Sequence, residues 1–136
     1  MHKLRRIARR RADELVLRLA ELRRSRTENS NRINDLDASR NEECRVAAAN
    51  PEIGAARLTG YLAAAELKRT RLAATGAEID DEIADVVAML AAANAETAKI
   101  DHLMEISQRA SDRVRSKRAL AALDDAGRRR SRAPRP

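Results

Sequence analysis

The chain has 136 residues, enough for one domain, but only one aromatic residue, Tyr61, and no Trp or Phe. Charged residues make up 36%, and the apolar remainder is mainly Ala and Leu, so the composition excludes a thick aromatic core and favours long helices burying a thin stripe. The net charge of +7 is unevenly laid out: residues 1–26 carry ten basic and three acidic groups, 27–108 eight and fifteen, and 109–136 ten and three. Both ends are basic and the middle is acidic.

The first predicted element is a helix over 3–48. Its seam steps by four and three through Ala8, Ala12, Leu15, Leu19, Leu22, Arg26, Asn29, Ile33, Leu36, Arg40, Glu43 and Ala47. Such spacing keeps a stripe on one side of a helix, which only a facing helix can cover. The polar seam positions Arg26, Asn29, Arg40 and Glu43 read as register-setting layers, or as a half that loosens when a partner binds. Cys44 reads as a small filler beside the seam. As the sole cysteine it allows no intrachain disulfide, which fits a reducing compartment. Lys3, Arg5, Arg6, Arg9, Arg10 and Arg11 stand at the helix start, where the dipole disfavours cations, so an acidic partner surface is the more informative explanation. No apolar h-region follows them and no span is apolar enough for a membrane, so neither a signal peptide nor a transmembrane segment is read.

Asn50-Pro51 marks the turn, placed at 49–51. Pro51 cannot continue the preceding helix, yet it suits the first position of the next, with Asn50 as cap and Glu52 facing the positive dipole end. The second helix is predicted over 52–125. Its seam runs through Leu58, Leu62, Ala65, Arg69, Leu72, Gly76, Ile79, Ile83, Val86, Leu90, Ala93, Thr97, Ile100, Met104, Ser107, Ser111, Val114, Arg118 and Ala121. Tyr61 beside it reads as an exposed helix residue or as an aromatic anchor for a partner. Gly127 reads as the stop signal, with a disordered basic tail over 127–136.

The fold class expected is therefore all-α, a long antiparallel two-helix coiled-coil hairpin forming a single domain over 1–126. With the tip near 51, residue i faces roughly 102 − i, which sets Leu19 against Ile83, Leu22 against Ile79 and Arg26 against Gly76. The partner helix runs out near residue 100. The stripe of Ile100, Leu103, Met104, Ile106, Val114, Leu120 and Leu123 then overhangs by roughly 39 Å at 1.5 Å per residue. A lone amphipathic helix of that length is marginal in water, so the stripe implies self-association or a covering partner.

No Gly-rich phosphate loop, nucleophile triad or paired-carboxylate cleft is visible, and a two-helix fold has no pocket to desolvate a reactive group. The expectation is a non-enzymatic protein without cofactor or small-molecule substrate. Asp101, His102 and Glu105 lack the ligand-rich setting of a metal site. The absence of interleaved aromatics and of helix-turn-helix or zinc-finger spacing argues against nucleic acid.

Taken together, the basic helix Lys3–Leu22, the Asn50-Pro51 break, the tip segment with Tyr61, the long second helix and the closing Ala122-Leu123-Asp124-Asp125-Ala126-Gly127 before an Arg-rich tail resemble the FliJ family. These are the soluble coiled-coil components of the bacterial flagellar type III export apparatus. The resemblance implies a stalk or escort protein, cytoplasmic and peripheral to the inner-membrane export apparatus. It would enter and help assemble the export ATPase ring, contact the export gate membrane protein and escort export chaperones. Mapped onto this chain, Lys3, Arg5, Arg6, Arg9, Arg10, Ile100, Leu103, Met104 and Val114 would meet the ATPase ring. Leu58, Tyr61 and Leu62 would face the export gate. A virulence-type secretion stalk would read almost identically, and a basic coiled-coil scaffold binding nucleic acid is the alternative from another class.

Overall fold

The computed structural model describes residues 1–134, apart from the side chain of Ile53. It is all-α: helix α1 spans His2–Ala49 and helix α2 spans Pro51–Arg132, with Asn50 alone between them. The Asn50 carbonyl accepts the Gly54 N–H at 2.9 Å, starting α2 where proline at the first helical position needs no donor. The close turn relies on Gly54, because a Cβ there would stand 2.8 Å from the Ala47 Cα.

One sequence expectation is corrected at the C-terminal end. The helix does not stop at 125, and the segment predicted to be disordered from 127 is helical through Arg132. Gly127 does not adopt the left-handed conformation of a helix stop. Its neighbours are good helix formers, and Arg129, Arg130 and Arg132 sit in the last turn, where the dipole favours cations. The last two positions of the expected tail, 135–136, lie outside the described residues.

Contacts divide the chain into two compact units. One is the hairpin Arg11–Ala92. Its core is the cluster of Leu19, Leu22 and Val86, with Leu15, Ile83 and Leu90 packed against it. This matches the register expected from the two seams. Toward the tip the core thins and becomes polar. Asn29 is buried, and its amide donates to the Leu72 carbonyl at 3.0 Å. Arg26 reaches over Gly76, where a Cβ would lie 2.8 Å from Asn29 Oδ1 and 3.0 Å from Arg26 Nη1. The room that a missing side chain leaves for Arg26 is thus occupied as expected. Nearer the tip the seam frays: Glu43 and Cys44 are exposed, so Cys44 is not the filler that its place beside the seam predicted.

The other unit joins residues 1–10 to the part of α2 from Ala93 onward. Ala8 and Ala93 are buried, and Thr97, Ile100 and Met104 are half-buried. After Met104 every described residue of α2 is exposed. Alanine packing of this kind lets two helix backbones approach closely but removes little apolar area from water.

Candidate functional site

The seam arginines follow one rule. In the hairpin unit Arg26 Nε meets Asp80 Oδ1 at 2.8 Å, Arg40 Nη1 meets Glu66 Oε2 at 3.3 Å, and Arg69 Nε meets Asp37 Oδ1 at 3.0 Å. In the other unit Arg5, which continues the α1 seam by one step of three before Ala8, places its Nε 2.6 Å from Asp101 Oδ1, an ion pair whose N–H is not aimed for a hydrogen bond. In all four the two residue numbers total 106, and the acid stands one residue past a seam position of the facing helix. A long side chain in the seam cannot point straight into a thin alanine–leucine core. It bends along the core and leaves its guanidinium at the flank, where the next residue of the facing helix can be a carboxylate. Arg18–Glu82, at 3.2 Å, adds a flank pair outside this rule.

The Arg69 guanidinium, through its hydrogen bond and its charge, holds the Asp37 carboxyl below the usual carboxylate range. Asp37 in turn raises Arg69. Glu42 is lowered in the same way by its hydrogen bonds from Arg45, a local pair within α1.

The residues assigned by resemblance to an ATPase ring all fall in the unit formed by 1–10 and the later part of α2. Lys3, Arg6, Arg9 and Arg10 are exposed on the first turns of α1, a helix with no acid in its first turn. Arg5 is half-buried against Asp101, and Arg9 Nη2 stands 3.9 Å from the same carboxylate. Met104 and Arg5 line one groove of about 450 Å³ with Met1, His2, Asp101, Glu105, Ser107 and Gln108. Ile100 is half-buried, while Leu103 is 51% and Val114 49% exposed. A second groove of about 500 Å³ follows along α2, lined by Ser107, Ala110, Ser111, Val114, Arg115 and Arg118.

The three residues assigned to an export gate are less united. Tyr61 is half-buried rather than free in water, against a shallow groove of about 660 Å³ that also has Leu36, Ala65 and Leu72 in its wall. Leu58 lines a separate groove at the tip with Val46, Ala47 and Gly54. Leu62 is half-buried in the seam.

Asp101, weighed from the sequence only as a metal ligand, and Arg118, read only as a seam position, were not named there as partner-facing residues. Both carry a readable signal. Arg118 occupies a seam position, and Asp101 stands one past the seam residue Ile100, opposite a seam arginine. Among the described residues no helix is long and apolar enough to cross a membrane. No protein-family model matches the chain, and neither the curated proteins nor the solved structures contain a match.

Proposed function

We propose that the chain is a non-enzymatic stalk and escort component of the bacterial flagellar protein export apparatus. In this reading it binds and promotes assembly of the export ATPase ring and links the ring to the export gate and to export chaperones. It works in the cytoplasm, at the inner-membrane export apparatus, without a cofactor or small-molecule substrate. The observation that carries the reading is a single compact unit holding the basic start of α1 and an α2 stripe left uncovered after Met104. A basic, partly apolar helical surface needs a partner to bury it, and a ring that grips a stalk end would provide one. The resemblance of the order of sequence features to the FliJ family is what points to the export ATPase as that ring. The arginine-locked hairpin suits a protein that must keep one register while transmitting contact.

The test is co-purification of the tagged chain from its own cells. A type III export ATPase should come down with it, and deletion of the gene should abolish swimming. Recovery of the chain without the ATPase, together with normal swimming of the deletion strain, would refute the reading. Flagellar rather than injectisome genes beside the coding sequence are expected; injectisome neighbours would move the protein to the virulence-type system.

A further inference from the structure

The seam of α2 does not end where α1 ends. Met104 is the last half-buried seam residue, yet the four-three spacing goes on through Ser107, Ser111, Val114, Arg118 and Ala121. The groove lined by Ser107, Ser111, Val114 and Arg118 lies along this continuation, on the track that α1 occupies beside Ile100 and Met104. Small seam residues flanked by a valine leave a furrow that a helix ridge fits.

The charge along the furrow is predominantly positive. Residues 107–118, which line it, carry five basic groups and one acidic group, a net +4. Arg115 stands 3.9 Å from Asp112 and Arg109 3.7 Å from Glu105, both local pairs. Arg118, in the seam itself, has no ion pair among the described residues. The four seam arginines that do face a helix, Arg5, Arg26, Arg40 and Arg69, each meet an acid one residue past a seam position of that helix.

We infer that α2 over 105–125 is the docking face for an acidic helix of another protein, lying antiparallel to α2 on the continued α1 track. It would carry apolar residues at its own four-three seam and an Asp or Glu one residue past the seam position opposite Arg118. Like charge argues against a second copy, since laying the furrow residues 107–118 of two chains against each other would set +4 against +4. The inference shares its surface with the stalk reading but gives the partner's chemistry rather than its identity. Its test uses designed helices, so the two can fail separately.

The full chain is titrated with two labelled peptides of roughly three heptads. Both have Leu seams; one has Glu and the other Lys at the flanking positions. Fluorescence anisotropy should show the Glu peptide binding at least about tenfold tighter at low salt, with the gap closing as salt screens the flank charges. Hydrogen exchange should slow over 105–125 on binding. R118E should weaken the Glu peptide by about fivefold, and a Lys at the one matching peptide position should recover the loss. Arg118 is exposed, so circular dichroism of R118E should match the parent. Equal binding of the two peptides overturns the inference, as does protection elsewhere than 105–125. A homodimer of the chain alone, dissociated by R118E in sedimentation, would make the occupant a second copy. Duplex DNA that outcompetes the Glu peptide and protects the same residues would make it a nucleic acid. Either result ends the proposal of an acidic helix.

Discussion

Four glycines sit inside the described helices of a chain otherwise rich in alanine, and their surroundings give them opposite signs on substitution. A methyl group at Gly60 or Gly127 would meet nothing within 4 Å. G60A should therefore stabilise by up to about 1 kcal/mol through helix propensity alone. G54A should destabilise, because its methyl meets the Ala47 backbone, which cannot yield without opening the tip. At Gly76 the nearest atoms are side-chain ends, but those ends are committed: Asn29 to the Leu72 carbonyl, and Arg26 to Asp80. G76A should lose more to those displaced bonds than it gains in propensity, for a net cost of about 1 kcal/mol. Thermal melts of the three variants by circular dichroism check all three signs.

The Asp37–Arg69 pair gives a pH expectation at the same scale. Asp37 titrates lower in the folded chain than in the unfolded chain. Its contribution is therefore complete above the unfolded carboxylate value, about 4, and is lost as pH falls through the lower folded value. Denaturant midpoints should fall on acidification below about pH 4, and D37N should flatten that part of the profile. The pair is more than a third exposed, so the effect should be small.

At the scale of the element, the hairpin register invites a direct chemical check. With Cys44 changed to Ser, cysteines placed at Leu19 and Ile83 should form a bond under oxidising conditions. Cysteines at Leu19 and Leu90 should not, since two helical turns separate the sites. The seam positions, the break at Asn50-Pro51 and the pairing of Leu19 with Ile83 were all legible beforehand. Periodicity and proline act locally, and an antiparallel turn converts them into register. The end of α2 was not legible in the same way. A glycine signals a stop only where the chain takes the left-handed conformation, and Ala126 and Arg128 on either side gave it no reason to. Cys44 and Glu43 show the other limit. Seam spacing says which face a residue occupies, but packing near the tip decides whether that face is covered.

At the scale of the whole molecule, burial and charge are divided between the two units in opposite senses. The hairpin unit holds the leucine cluster and the buried Asn29; the other unit rests on Ala8 and Ala93. Hydrogen exchange should follow that division. Amides around Leu72–Leu90 should be the slowest, and those over 105–132 should exchange fast, because an uncovered helix opens at little cost. Of the candidate site, the basic ends and the uncovered stripe could be read from composition and spacing. The seam arginines were legible as polar interruptions, but not as ion pairs, because the partner acids lie off the seam and only the folded register brings them opposite.

Those four pairs also make the alignment self-checking. A slide of one heptad would set Leu19 against Leu90 or Gly76 and Leu22 against Val86 or Leu72, so the thin apolar core alone discriminates weakly. It would, however, bring Arg26 beside Val87 or Ala73, Arg40 beside Ala73 or Thr59, and Arg69 beside Cys44 or Ser30. Every one of those cations would lose its anion at once, in either direction of slip. Each pair is weak alone, but the penalty for misalignment is charged jointly. A sequence with almost no aromatic shape to dictate its fit thus encodes a single legal reading in the spacing of its charges.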